Sequence, residues 1–210
     1  MAHTDSIDKI VTVYLAGLCR TPFTYRESVF EPRPVVVSPL LLRGFTCPSG
    51  CGACCAKYTM DYLPGEARPG QEEARTIVVN GRPIDVFSDL QADVAGNRCR
   101  NLDTTTGRCG IYERRAFSCD FELIRVLHFA DKVLLTQKLY GRGWAMRRVD
   151  GGQGAQCEMQ PPNPHTVADV DRKLRRLQEW ADHFGVKTCV PAILEWVRLG
   201  EHGRALLVPI

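Results

Sequence analysis

Four thiols fall within nine residues, Cys47-Pro48-Ser49-Gly50-Cys51-Gly52-Ala53-Cys54-Cys55, and no other stretch constrains this chain as tightly. Cysteines two or three residues apart in a loop let their sulfurs converge on one ion. Gly50 and Gly52 permit the tight turns and amide-to-sulfur hydrogen bonds that such a knuckle needs. The vicinal Cys54 and Cys55 are poorly placed to bridge each other, because adjacent side chains diverge, so they are not expected to serve one centre identically. Cys99, Cys109 and Cys119 follow at intervals of ten, and Cys157 stands alone beyond them. Soft thiolates select zinc, copper(I) or iron–sulfur clusters and reject magnesium and calcium. Disulfides within the cluster are the competing reading. The last two of the ten cysteines, Cys19 and Cys189, have no thiol at knuckle spacing and read as small buried hydrophobes.

Ligands or disulfides is a question of compartment. Leu15-Ala16-Gly17-Leu18-Cys19 looks like a lipoprotein cleavage site, but its cysteine comes one residue too late. Asp5 and Asp8 outweigh Lys9 ahead of it, where an export signal wants a basic start. Val11-Thr12-Val13-Tyr14-Leu15 is therefore expected to be a strand or buried segment of the mature protein. A reducing setting follows as an expectation: cytoplasmic, or part of a particle assembled inside the cell. No run of eighteen apolar residues is present, which argues against a membrane span. Lys+Arg 27 against Asp+Glu 24, a net of +3, is too balanced to indicate a nucleic-acid or membrane-surface protein.

Three regions differ in texture. Residues 1–46 are punctuated by Pro22, Pro32, Pro34 and Pro39 around Val35-Val36-Val37 and Leu40-Leu41-Leu42, a pattern of extended segments and edge strands. Residues 47–160 form the cysteine-cluster region. Within it, Thr76–Val79 and Arg82–Phe87 flank Asn80-Gly81, which supplies the positive φ of a type I′ hairpin turn. Phe121–Phe129 and Lys132–Tyr140 around Ala130-Asp131 suggest a second hairpin, and Gly151-Gly152-Gln153-Gly154 a loop. Residues 161–210 are a helical segment packed on the rest. Val167, Val170, Leu174, Leu177, Ala181 and Phe184 recur at helical steps, with Thr166 and Asp169 as a capping box and Gly185 as the stop. A second helix runs from Pro191 to Gly200. The fold class expected is α+β: a small, irregular, metal-stapled cysteine core with short antiparallel hairpins and C-terminal helices.

Taken together, Phe45-Thr46-Cys47-x-x-x-Cys51-Gly52-Ala53-Cys54-Cys55, then Cys99-Arg100-Asn101-Leu102-Asp103, Gly107-Arg108-Cys109-Gly110-Ile111-Tyr112-Glu113-x-Arg115 and Cys119, resemble the CxxCxxCC or YkgJ-type family. Its members are described as zinc- or iron-chelating, and the domain also occurs in flagellin lysine N-methylases. The resemblance covers about residues 45–121 and implies a metal site. This chain departs from the family by its third residue between Cys47 and Cys51, by Ala116 in place of an Arg-Pro pair, and by Asp120 in place of an arginine.

Between Arg98 and Arg148 eleven Lys+Arg face five Asp+Glu, an excess that could offset an anionic thiolate centre or form a solvated or phosphate-binding surface. The run Arg172-Lys173-x-Arg175-Arg176 is cancelled along its helix by Asp169, Asp171, Glu179 and Asp182. There is no P-loop, Gly-x-Ser-x-Gly or His-Glu-x-x-His. Of five scattered histidines, His128 is the one worth weighing as a ligand, with a satisfied core histidine the favoured reading. The expectation is a metal protein with a [4Fe–4S] cluster, or zinc, held by a subset of Cys47, Cys51, Cys54, Cys55, Cys99, Cys109, Cys119 and Cys157, structural or redox in role and more a binding protein than an enzyme. Two alternatives stand beside it. One is a structural subunit of a larger assembly, such as a viral or secretion-type particle, with other subunits as partners. The other is an S-adenosylmethionine-dependent protein lysine N-methylase, although no S-adenosylmethionine site is recognisable.

Overall fold

The computed structural model describes residues 6–46, 61–63, 65–66, 72–89, 101–103, 105–106, 108–111, 116–117, 121, 124–137, 158–159, 161–200 and 203–210. The chain is α+β, as its patterning predicts.

Residues 6–18 form one helical run, α1, so of the two readings of Val11–Leu15, strand or buried segment, the second holds and the strand does not. It is α-helical at Ser6–Lys9, widens to π-helical turns at Ile10–Leu15 and closes as α-helix at Ala16–Leu18. Packing explains the helix: Ile7, Ile10, Val11, Tyr14, Leu15 and Leu18 are all buried and recur at three- and one-residue steps, the stripe of an amphipathic helix. The run presses on the sheet at Gly17. A Cβ there would lie 2.3 Å from Val126 Cγ1, 3.2 Å from His128 Nε2 and 3.3 Å from Val133 Cγ1.

Two larger sheets follow. The first has the order β2-β1-β6-β7-β5, from β1 (Phe23–Tyr25), β2 (Ser28–Phe30), β5 (Asp61–Tyr62), β6 (Glu72–Val79) and β7 (Arg82–Asp89). Its spine is the expected hairpin. Val79 pairs with Arg82, and Asn80 and Gly81 both take positive φ (52° and 70°), as a type I′ turn requires. The second sheet has the order β10-β11-β3-β13, from β3 (Val35–Val37), β10 (Ile124–His128), β11 (Val133–Gln137) and β13 (Leu206–Val208). The β10–β11 hairpin expected around Ala130-Asp131 is present, with Ile124 opposite Gln137 and His128 opposite Val133.

β3 is not the edge strand its flanking prolines suggest. It lies between β11, parallel to it, and β13, antiparallel. The prolines bracket the strand and do not interrupt it: the Pro34 carbonyl accepts from Val133 N–H (2.9 Å), and Pro39 opens a 3₁₀ turn, Pro39–Leu42. Ser38 caps that turn, its side chain accepting from Leu40 N–H, so Leu40-Leu41-Leu42 are helical and not extended. Two short ladders complete the strands: β4 (Phe45–Thr46) with β12 (Glu158–Met159), and β8 (Leu102–Asp103) with β9 (Arg108–Cys109).

The two C-terminal helices are α2 (Pro164–Phe184) and α3 (Val190–Leu199). The first starts earlier than its apolar stripe suggests. Asn163 is the N-cap and Thr166 the third helical residue: Thr166 N–H donates to the Asn163 side chain and Asn163 N–H to Thr166 Oγ1, each at 3.0 Å. Asp169, freed from capping, pairs with Arg172 and Lys173. Gly185 (φ 67°) and Gly200 (φ 73°) end the helices in the left-handed conformation glycine tolerates. Trp180, fully buried, joins the predicted stripe of α2 and contacts Phe117 and Phe184 at ring separations of 6.0 and 5.4 Å. One apolar cluster runs through α1, β1, β3, the β6–β7 and β10–β11 hairpins, α2 and α3.

Candidate metal centre

Of the eight candidate ligands, Cys109 lies among the described residues; Cys47, Cys51, Cys54, Cys55, Cys99, Cys119 and Cys157 lie outside them. Among the described residues no three His, Cys, Asp or Glu side chains gather as a metal site. The geometry on view is that of the supports. β4 ends at Thr46, immediately before Cys47, and its partner β12 begins at Glu158, immediately after Cys157. β5 re-enters the first sheet at Asp61 against Ser88, six residues after Cys55.

Cys109 sits half-buried at the end of β9, opposite Leu102, and its thiol is free. The turn beyond it is held by Gly110 N–H donating to the Asn101 carbonyl (2.7 Å). On the other side Asp103 accepts from Thr105 N–H (2.8 Å) and from the Thr106 hydroxyl (2.5 Å). These bonds, the Thr106 hydroxyl first, hold the Asp103 carboxyl below its usual range. The arrangement fixes a short β-turn-β unit with a thiol at one end.

Phe117 and Phe121 flank Cys119 in sequence, and both are buried with ring centroids 4.7 Å apart. Phe121 meets the edge of Tyr14 from α1 and Phe117 meets Trp180 of α2, so both sides of position 119 are moored to the core. A carboxylate adds a second mooring. Glu66 accepts from Leu63 N–H (3.2 Å) and Phe117 N–H (3.3 Å), and it pairs with Arg176 of α2, whose guanidinium lies 6.0 Å over the Phe117 ring. Nothing in the spacing of Glu66 announces this role; a lone Glu before Ala67-Arg68-Pro69 reads as loop.

The two cysteines set aside as hydrophobes are indeed inside the core, Cys19 at 1% and Cys189 at 3% exposure. The fold brings them to one junction, where Cys19 bridges Thr188 and Cys189 N–H donates to the Leu18 carbonyl (2.8 Å). Burial pushes both thiols up, Cys189 to about 12 against the opposing pull of Arg20, which disfavours the thiolate form. His128 is occupied too. Its Nε2 lies 3.0 Å from the Val13 carbonyl and its Nδ1 takes the Arg33 guanidinium, which also donates to the Phe129 carbonyl. The histidine is satisfied, as favoured from sequence, but it stands at an exposed position of β10 and not in the core. The basic run on α2 is consumed internally: Arg172 and Lys173 pair with Asp169, Arg175 with Asp171 and Arg176 with Glu66.

The class is therefore an α+β chain with two mixed or antiparallel sheets around one apolar core, to which Phe117 and Phe121 belong. Within it, residues 46–137 match the CxxCxxCC family model, described as a "putative zinc- or iron-chelating domain". That stretch contains seven of the eight candidate cysteines and ends before Cys157. No curated protein and no solved structure matches the chain. No helix among the described residues is long and apolar enough to cross a membrane.

Proposed function

We propose that the chain binds iron as a [4Fe–4S] cluster, or zinc, through thiolates drawn from Cys47, Cys51, Cys54, Cys55, Cys99, Cys109, Cys119 and Cys157, in a structural or redox role. The observation that carries this reading is the match of residues 46–137 to a zinc- or iron-chelating domain. Donor chemistry supports it: the candidate groups are thiols, the soft donors that zinc and iron–sulfur clusters take. Bound iron–sulfur would supply one-electron chemistry, whereas zinc would supply a closed four-sulfur staple. Cys109 is carried on β9, and the Phe117–Phe121 pair moors the residues on either side of Cys119.

Anaerobic purification followed by elemental analysis and absorption spectroscopy tests the reading. Iron with matching inorganic sulfide and a broad visible charge-transfer band is the expected result; about one zinc per chain with no visible band would select the structural staple. Protein that folds fully with no iron or zinc, and takes up neither on reconstitution, would overturn it.

A further inference from the structure

Side chains alternate across a strand, so burial tells the two faces of the β10-β11-β3-β13 sheet apart. Val126, Val133, Val35 and Val208 are buried on the inner face, against which α1 packs at Gly17. The alternate residues look outward. Leu127, Leu134, Val36 and Leu207 stand opposite one another in register, one from each strand, and form an apolar row across the whole sheet. Leu207 is 64% exposed, the other three are half-buried, and none of the four belongs to the apolar cluster or packs against it. The same alternation brings Phe129, 45% exposed, to this side just past the end of β10. The charges here have one sign. Exposed Arg125 borders the row on one side and Lys132 on the other, and no strand residue of this face is acidic. Lys132 holds Asp131 of the hairpin turn at 3.5 Å, with both side chains largely in solvent. Thr136, opposite Arg125, is buried and marks where the face closes.

The free edge of this sheet is closed to an added strand. Pro34 and Ser38 turn their backbone groups toward β11, so Val36 does too, and Val35 and Val37 serve β13. Their partners are Val208 and Leu206, which leaves Leu207 to present its N–H and carbonyl outward. The next outward position is Pro209, which has no N–H and whose carbonyl accepts from the Arg20 guanidinium. An edge capped in this way resists strand pairing, so a partner must come to the face. A second copy suits that face poorly, because a two-fold contact would set Arg125 and Lys132 against the same cations. Three inter-strand steps of about 4.8 Å make the row about 14 Å wide, enough for one helix of about 10–12 Å diameter. A helix is also the layer that already covers the other side of this sheet. We infer that the outer face of the β3 sheet docks an acidic amphipathic helix of another protein, with its apolar side over the row and its carboxylates toward Arg125 and Lys132. The inference goes beyond the metal reading and does not depend on it.

The test titrates the full chain into a fluorescent helical peptide that carries leucine along one side and glutamate on both flanks, read by anisotropy. A twin peptide with lysine in place of glutamate is the control. The acidic peptide should bind at least about tenfold more tightly than its twin, and Leu207→Glu should weaken it by at least about tenfold. Arg125→Glu should narrow the gap between the two peptides. Leu207 and Arg125 are exposed, so both variants should fold. Cys19 and Cys189, buried in the apolar core, should stay closed to a thiol reagent in each and so certify it. Equal binding of the two peptides, or binding that Leu207→Glu leaves unchanged, would overturn the inference. A dimer in sedimentation that Leu207→Glu dissolves would overturn it in favour of a second copy. Binding to phosphatidylglycerol vesicles that the same variant abolishes, with neither peptide bound, would overturn it in favour of a lipid surface.

Discussion

The Glu66 carboxylate fastens the matched segment to α2, and its removal should show how strongly the two depend on each other. Glu66 and Arg176 keep only 18% and 20% of their side-chain exposure, so solvent screens the pair incompletely. Glu66→Ala deletes an ion pair with hydrogen bonds to a charged group, a contribution of about 1.5–3 kcal/mol, and two long backbone bonds of about 0.5–1 kcal/mol each. It also leaves the Arg176 charge over Phe117 without its carboxylate. Water entering the gap recovers part of this, and about 2–4 kcal/mol of lost stability is the expected result.

Urea titration followed by far-ultraviolet circular dichroism measures it, and a cycle with Arg176→Ala isolates the pair. A coupling of about 1–3 kcal/mol is expected, because the two side chains share one hydrogen-bonded unit. Glu66→Gln, which keeps the acceptor oxygen and loses the charge, should fall between wild type and Glu66→Ala. If the two alanine variants add to within about 0.5 kcal/mol, the contact is incidental and the mooring argument for Phe117 fails.

Gly17→Ala should destabilise by about 1–3 kcal/mol despite alanine's better helix propensity, because its Cβ would meet a branched valine at 2.3 Å; a thermal melt showing stabilisation would refute the close packing of α1 on β10. His128 gives a pH test. Desolvation first, and then the Arg33 charge, hold its pKa below 6.5, against the Val13 bond that raises it, so the unfolded chain binds the proton more readily. Its contribution is present above pH 6.5 and is lost as pH falls toward the lower folded value. Denaturation midpoints should drop between pH 7.5 and 5.5, and His128→Asn should flatten that slope; an unchanged slope would refute the assignment. Cys19→Ala and Cys189→Ala should keep their metal and cost about 1–2 kcal/mol, whereas Cys109→Ala should lose it; the reverse pattern of metal-to-protein ratios would place the site in the wrong part of the chain.

Local chemistry was legible wherever one short segment decides the outcome. Asn80-Gly81 forced its turn, Gly185 and Gly200 stopped their helices, and Ala130-Asp131 lay between the strands of a hairpin. It misled where a wider window was needed. Val11-Thr12-Val13-Tyr14-Leu15 read alone leaves strand and buried segment open, and only the stripe from Ile7 to Leu18 carries the helical period that decides it. Thr166 suggested a cap because it precedes the apolar stripe, yet Asn163-Pro164 makes a better start one turn earlier. The prolines around Val35-Val36-Val37 did mark the ends of a strand, but strand order is a long-range property that no window reveals.

The same limit governs the site. Thiol spacing announces a knuckle but is blind to strand pairing, and the pairing of β12 (Glu158–Met159) with β4 (Phe45–Thr46) has no signal in the spacing. It is equally blind to burial. Cys19 and Cys189 are far apart in sequence and adjacent in the fold, at a junction whose burial pushes both thiols up. Glu66 escapes notice because its partners, Leu63, Phe117 and Arg176, come from three separate elements.

The distribution of buried residues bears on what a metal would do here. A structural staple is most needed where proline-rich segments cannot assemble an apolar core, the condition that the sequence of residues 1–46 suggests. The fold removes that condition. Ile7, Ile10, Leu15, Leu18, Phe23, Val35, Val37, Leu41 and Leu42 from this region are each no more than 2% exposed and belong to one cluster with Trp180, Phe184 and Ile193 from the C-terminal helices. Burying each such side chain contributes about 1.5–3 kcal/mol before the cost of ordering, so α1, α2, α3 and the β3 sheet have a cohesion that does not pass through any thiolate. A metal bound by the middle segment would then set the geometry of that segment and its ladders, with the apolar core as a fixed frame. This division gives the buried Cys19 and Cys189 thiols their value as reporters, because they belong to the frame.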